Sequence, residues 1–389
     1  MYYENNKEKK KERLVFVVFM ATVIALLIVL IWKTDANKMS MQTNYDANKT
    51  SLSAKNENGR SIQNSYDGSE YVFEKENSSS SDIIEKAVKS VVGISKLEQN
   101  GTSIFLGNPE SKLGLGSGII VTDNGYILTN QHVAGNKYSN CYVTLENGKT
   151  FDGTVVWADS NIDLAIVKIA GNNLDYISLA DSDNIRLAEE VYAIGNPIGI
   201  EFQRTVTKGI ISGKNRTIKL SDDENSSYME DLIQTDATIN EGNSGGALIN
   251  KNGELIGVNS VKISDAEGIG FAVPINIVKP IIEKLVKEGK FEEAYLGIYG
   301  YDKEVIPYLD SSLNIESGVY IAKIMTDGPL NNSGLIVSDI ITKVDDTQIY
   351  NMNDLKKYIY TKRPGDMVKL TVRRKNEELS LDIKLGNKM

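Results

Sequence analysis

The chain has 389 residues, 41% of them hydrophobic, a net charge of −9, one histidine and one cysteine. That length predicts two or three domains. The acidic balance argues against a nucleic-acid surface, which rests on clustered Lys and Arg; one Cys with one His excludes an internal disulfide and a Cys/His metal cluster, so no metal and no cofactor are expected.

The first element is apolar and uncharged: "LVFVVFMATVIALLIVLIW", Leu14 to Trp32. About 20 such residues cross a bilayer as a helix. The basic segment "KEKKKER" before it predicts a cytoplasmic N-terminus and an extracytoplasmic remainder. A cleaved signal peptide would have a shorter apolar core and a small-x-small site, which "WKTDANKMS" does not offer. The expected order is therefore a cytoplasmic segment (1–13), a transmembrane anchor (14–32) and a linker (33–81). The linker is dominated by Asn, Ser, Lys and acids, too poor in apolar residues to offset its ordering entropy.

Order is expected from "SDIIEKAVKSVVGI", with Asp82 capping a helix and Glu85 three residues on. Short alternating or apolar runs follow, among them "SGIIVTDNGYILTN", "CYVTLENGKTFDGTVVWAD", "DLAIVKIA", "EVYAIGNPIG", "TVTKGIISG" and "ELIGVNSVKI". Asn-Gly turns punctuate them, so residues 82–288 read as an all-β barrel or sandwich. Cys141 reads as a small, buried or half-buried strand residue. A helix in "PINIVKPIIEKLVKEGK" ends at Gly289, where a domain boundary is placed. Residues 289–389 read as a small α+β module with one helix around Asn353 to Tyr360.

Three residues in this frame carry chemistry. His132, in "YILTNQHVAGN", directly follows a strand, and an imidazole is the side chain best suited to move protons near neutral pH. Asp163, in "DSNIDLAIVKIA", precedes an apolar strand; Asp152 and Asp159 are its rivals. Ser244 sits in "EGNSGGALIN" among glycines that let backbone N–H groups approach a substrate oxygen. The order His, Asp, Ser across an all-β domain is that of the chymotrypsin-type triad. In it Ser244 attacks a carbonyl, His132 takes and returns the proton, and Asp163 orients the ring. Gly242 and Ser244, with Asn243, are the expected oxyanion donors.

The segments "GSGIIVTDNGYILTNQHV", "NIDLAIVKI", "AIGNPIG", "TVTKGIISG", "QTDATINEGNSGGALIN" and "GIGFAVP" occur in this order. Together they resemble the HtrA/DegP family of serine proteases, a chymotrypsin-type double β-barrel followed by a PDZ domain. The resemblance carries the triad onto His132, Asp163 and Ser244. It implies a mainly β fold, a trimer, and loops near Asn196–Thr205, Asp236–Asn243 and Val258–Gly268 that switch between inactive and competent arrangements. Ile239 falls on a position lining the S1 pocket, and Lys262 in the segment that normally supplies its opposite apolar wall. The segment Glu98 to Leu113 is short, which argues against a cage-like assembly. "YLGI", Tyr295, Leu296, Gly297 and Ile298, matches the PDZ loop that captures a peptide's C-terminal carboxylate, with Leu355 to Ile359 on the facing helix.

The implied protein is a membrane-anchored extracytoplasmic serine endopeptidase of quality control and envelope stress. It would act on unfolded or misfolded proteins and bind C-terminal peptides. A site-specific signalling protease shares its motifs; a chaperone or peptide-binding scaffold of low proteolytic activity is the other alternative, and the complete triad and glycine-rich loop weigh against it. The Asn-, Lys- and Ile-rich composition fits a low-GC Gram-positive bacterium.

Overall fold

The computed structural model describes residues 80–97, 113–196, 204–219, 228–240, 242–262, 268–309, 313, 315–375 and 377–388. The apolar run Leu14–Trp32, its basic flank, the expected linker as far as Ser79 and residues 98–112 lie outside them. Among the described residues no helix is long and apolar enough to cross a membrane.

Helix α1 (Ser80–Val88) opens the described chain. It starts two residues before the expected cap, so Asp82 lies inside its first turn, where a carboxylate favours the positive helix end. Strands β1 (Val91–Leu97), β2 (Leu113–Ile120), β3 (Tyr126–Thr129), β4 (Asn140–Thr144), β5 (Thr150–Asp159) and β6 (Leu164–Ile169) close an antiparallel barrel in the order β1-β2-β3-β6-β5-β4. The single-turn helix α2 (Gln131–Ala134) follows β3. Along β5 a period of two sends Gly153, Val155, Trp157 and Asp159 inward, the pattern of a strand with one covered face. Cys141, on β4, is buried in the core of this barrel.

A second closed barrel uses β7 (Glu190–Gly195), β8 (Thr205–Lys219), β9 (Tyr228–Thr235), β10 (Ala247–Asn250), β11 (Leu255–Lys262) and β12 (Gly270–Pro274), in the order β10-β11-β12-β9-β8-β7. The largest core cluster lies between the barrels. Ile119, Leu128, Leu164 and Ile166 from the first meet Ile194, Leu232, Val258 and Phe271 from the second. Helix α3 (Lys279–Glu288) begins at Lys279-Pro280 and stops at Gly289, which is left-handed at φ 71° and returns its N–H to Leu285 O.

The C-terminal module contains β13 (Ala294–Tyr295), β14 (Ile298–Tyr301), α4 (Ile306–Leu309), β15 (Val319–Ile324), β16 (Ile340–Val344), β17 (Thr347–Gln348), α5 (Met352–Thr361), β18 (Met367–Arg374), β19 (Glu377–Lys384) and β20 (Gly386–Asn387). Its main sheet runs β14-β15-β16-β18-β19. Asn351 caps α5, its side chain accepting from Asp354 N–H at 2.8 Å. Leu355 and Ile359 on α5 enter the module's own core, but Tyr360 belongs to the cluster between the barrels.

Barrels and module thus share side chains within one compact unit. Tyr360 stands edge-on to Trp157 and Phe291, each at 6.0 Å between ring centroids. Lys357 meets Asp183 at 2.9 Å, and Arg363 meets Glu288 at 2.7 Å. Beside them lies a group of acids: Glu230 and Asp231 on β9, and Asp302 just after β14. Asp302 is fully buried, and one carboxylate oxygen each of Asp231 and Asp302 is buried with no hydrogen-bond partner among the described residues. Desolvation, reinforced by Asp302 and Asp231, pushes the Glu230 carboxyl up to about 9; Lys356 opposes this. Desolvation with Asp302, Asp354 and Glu304 raises Asp231 to about 7, against the N–H of Asn353. Asp302 is raised by burial as well, against the hydrogen bond it accepts from Glu304 N–H.

Candidate active site

The turn from β5 to β6 ends on Asp163, whose backbone takes the left-handed φ of 51°. That conformation is uncommon for a residue with a Cβ, and its neighbours over-determine it. Asn130 Nδ2 donates to Asp163 O at 2.8 Å, and Gln131 N–H does so at 3.2 Å. These bonds bring α2 against the turn. His132 Nδ1 then lies 3.0 and 2.8 Å from the two carboxylate oxygens, and His132 N–H donates to Oδ1 at 3.0 Å. The Asp163 side chain is 15% exposed and that of His132 52%, so one edge of the ring is held and the rest is open to solvent. With Nδ1–H donating to the carboxylate, Nε2 carries the lone pair of a neutral imidazole.

Ser244 lies on the tight connection into β10. Gly245, at φ 79°, permits that turn; a Cβ there would collide with Ser117 O and Thr129 Oγ1. Ser117 on β2 ties the two barrels together at this point. Its hydroxyl donates to Gly242 O at 2.5 Å and accepts from Asn196 N–H at 2.6 Å, and its N–H donates to Ser244 O at 2.9 Å. Ser244 Oγ donates to Ser260 O at 3.1 Å. Among the described residues it makes no bond to His132. The N–H groups of Gly242 and Ser244 have no backbone acceptor among the described residues. The N–H of Asn243 differs, since it donates to Asn240 O at 3.0 Å.

Ser260 is a participant that the sequence reading did not single out. Its hydroxyl donates to Asp163 Oδ2 at 2.9 Å while its carbonyl holds the Ser244 hydroxyl. The available signal was the Asn259-Ser260 pair interrupting an apolar strand. The two rival aspartates lie elsewhere: Asp152 is exposed on β5, and Asp159 is buried beneath Tyr360. Ile239 is buried and packs over Gly270 within the core of the second barrel. Lys262 ends β11, paired with Gly270; its side chain lies outside what the structure describes, as do residues 197–203, 241 and 263–267 of the three expected switching loops.

In the C-terminal module, Tyr295 ends β13, Leu296 is buried, Gly297 turns the chain at φ 78°, and Ile298 opens β14. Gly297 O accepts from Met325 N–H at 2.9 Å, which fixes the loop to the end of β15. Leu296, Leu355 and Ile359 share one core, with Ile298 and Met352 packed at its margin. Among the described residues no group of His, Cys, Asp and Glu is arranged to hold a metal ion.

Residues 116–258 match the trypsin-like peptidase domain and residues 295–385 the PDZ domain. The chain is 37% identical over 337 residues to Serine protease Do-like HtrA of Bacillus subtilis, covering 81% of this chain and 75% of that protein. It is 36% identical over 333 residues to Serine protease Do-like HtrA of Lactococcus lactis subsp. cremoris, covering 78% and 81%. Among solved structures it is similar to the HtrA-type protease AlgW with tripeptide, at a TM-score of 0.58 and 31% identity, over 80% of this chain and 98% of that one.

Proposed function

Because the chain belongs to the HtrA/DegP family of serine proteases, with a trypsin-like peptidase domain and a PDZ domain, we propose that this serine endopeptidase works through His132, Asp163 and Ser244. The observation that supports the assignment is the shared hub at Ser260. One residue bonds the carboxylate that faces the imidazole and the hydroxyl that would attack, at 2.9 and 3.1 Å.

Catalysis begins when the Ser244 hydroxyl leaves Ser260 O, by rotation about its Cα–Cβ bond, and turns to His132 Nε2. His132 takes the proton as Ser244 Oγ bonds to the carbonyl carbon. Asp163 stabilises the imidazolium and keeps Nδ1 protonated. The carbonyl oxygen, now an anion, is met by the N–H groups of Gly242 and Ser244; losing one such donor costs about 100- to 1000-fold in rate. Asn243 shapes this loop from behind, because its N–H is already bonded to Asn240 O. The imidazolium then protonates the leaving amine. Water, deprotonated by His132, releases the acyl group from Ser244.

The wider role is protein quality control at the cell envelope, with unfolded protein as substrate, C-terminal peptides bound at Tyr295–Ile298, and the protein held in the membrane by residues 14–32. The uncharged run behind "KEKKKER" supports the anchor. A homotrimer is proposed on family membership. Cleavage of casein by the full chain in detergent is the direct test. The parent should cut and Ser244→Ala should not; equal cleavage by both would overturn the assignment. Retention in the membrane pellet after alkaline carbonate extraction tests the anchor, and release into the supernatant would refute it.

A further inference from the structure

Asp159 is 4% exposed and takes no part in the chemistry above. Its two carboxylate oxygens point to different parts of the molecule. Oδ1 accepts from Asn161 N–H at 2.9 Å, inside the four-residue turn that ends on Asp163. Oδ2 accepts from the hydroxyl of Tyr360 at 2.9 Å, on α5 of the PDZ domain. Lys356, one turn earlier on α5, stands 3.6 Å from Oδ2, and Lys388, after β20, stands 3.9 Å from it. Lys388 is in turn held by Glu293 at 2.7 Å, and Glu293 accepts from Trp157 Nε1 at 3.2 Å.

We propose that Asp159 is a positioning residue that links the placement of Asp163 to the seating of the PDZ helix α5 on the barrels, with Tyr360 as its partner. The proposal rests on the reading that Asp163 orients His132. The turn is short and its far side is fixed: Asp159 pairs with Leu164 across the β5–β6 ladder, and Ile162 between them is buried. Asn161 N–H is therefore a handle on the turn, and the group that grips it is itself gripped by α5. The same helix supplies Leu355 and Ile359 to the PDZ core beside Leu296. A shift of α5 draws on Tyr360 and Lys356, hence on Asp159, and moves the turn that presents the Asp163 carboxylate to His132 Nδ1. The carboxylate is ionised in this setting. Desolvation works against it, but Lys356, Lys388, the Asn161 N–H and the Tyr360 hydroxyl outweigh that and hold Asp159 below its ordinary value.

A buried network of this kind stabilises any protein, so the test needs readouts that mere stability does not move. Tyr360→Phe removes only the hydroxyl and keeps the ring against Trp157 and Phe291. In the full-length protein in detergent, it should lower kcat on labelled casein about 10-fold with KM within about twofold. It should also displace the acid limb of the pH–rate profile and slow labelling of Ser244 by a fluorophosphonate by the same factor. Asp159→Asn should do the same, and the double variant should lose no more than the worse single one, since both break one link. If Tyr360→Phe and Asp159→Asn melt at a lower temperature yet keep parental kcat and acid limb, Asp159 is structural only and the proposal fails. If the two losses simply add, the proposed link is absent. Asp163→Asn separates the premise from the proposal. Parental activity in that variant sinks the triad reading itself; an inactive Asp163→Asn beside a parental Tyr360→Phe sinks this inference alone.

Discussion

Ser260 serves two masters through two different atoms, and that makes its hydroxyl separable from its carbonyl. Ser260→Ala keeps the carbonyl that holds Ser244 and deletes the bond to Asp163 Oδ2. A hydrogen bond to a charged group contributes about 1.5–3 kcal/mol. The variant should therefore lose at least about 10-fold in kcat with KM little changed, as measured on labelled casein; unchanged kcat would show that His132 and the backbone bonds suffice to hold Asp163. Cys141 offers a contrast. Burial pushes its thiol up to about 11, against the opposing pull of Lys96. At pH 8 about one thiol in a thousand is ionised, so iodoacetamide should leave the native protein unlabelled and modify it once it is unfolded. Candidates for chemistry were readable from residue type and order, since His132, Asp163 and Ser244 follow one another across an all-β domain in the order of a chymotrypsin-type triad, though each alone is ordinary. Ser260 and Ser117 were not readable. Their roles depend on which carbonyl faces which hydroxyl after two barrels close, and a serine on a strand looks the same with or without such a neighbour.

Strands and helices were legible wherever the apolar period was clean, as along β5, and at ends marked by Gly or Pro, as at Gly289. Helix α1 starts at Ser80, ahead of the expected cap at Asp82, because the serines tolerate a helix when the following Ile83 and Ile84 have a surface to cover; Ile84 packs on the inter-barrel core. Strand β9 lies outside the short apolar runs picked from the sequence, and its acids turn inward: Asp231 is buried at a left-handed φ of 56° and Glu230 faces Asp302. The consequence is a pH dependence of definite sign. Glu230 and Asp231 hold their protons more tightly folded than unfolded, so the stability they allow is fully present below about pH 4, the ordinary carboxylate range. It declines as pH rises and is lost through about 7 for Asp231 and about 9 for Glu230. In a Ser244→Ala background, which prevents self-digestion, Glu230→Gln should raise Tm at pH 8.5 by about 3 °C or more and leave it unchanged at pH 4. An equal shift at both pH values would mean that the proton on Glu230 is irrelevant.

At the scale of the whole molecule, barrels and PDZ domain meet through the Trp157, Phe291 and Tyr360 rings, the Lys357–Asp183 and Arg363–Glu288 pairs, and the buried acids. An interface that shares core side chains predicts one cooperative melting transition in calorimetry of the Ser244→Ala protein, not two. Two separated transitions would show that the domains are coupled only weakly. Tyr360 lends this arrangement a meaning beyond stability. A residue borrowed by a neighbour's core means that the point where one domain ends in the chain is not where it ends in space. A protease cut off after Gly289 loses both Phe291 and Tyr360, so Trp157 loses the ring of Tyr360, and Asp159 keeps the Asn161 N–H but loses Tyr360, Lys356 and Lys388. The PDZ domain is in this sense not a cassette. A substitute from another protein would have to bring an aromatic ring and a hydroxyl to the same spot, so grafting and gene-level shuffling of these two domains should succeed only between chains that keep that tenant.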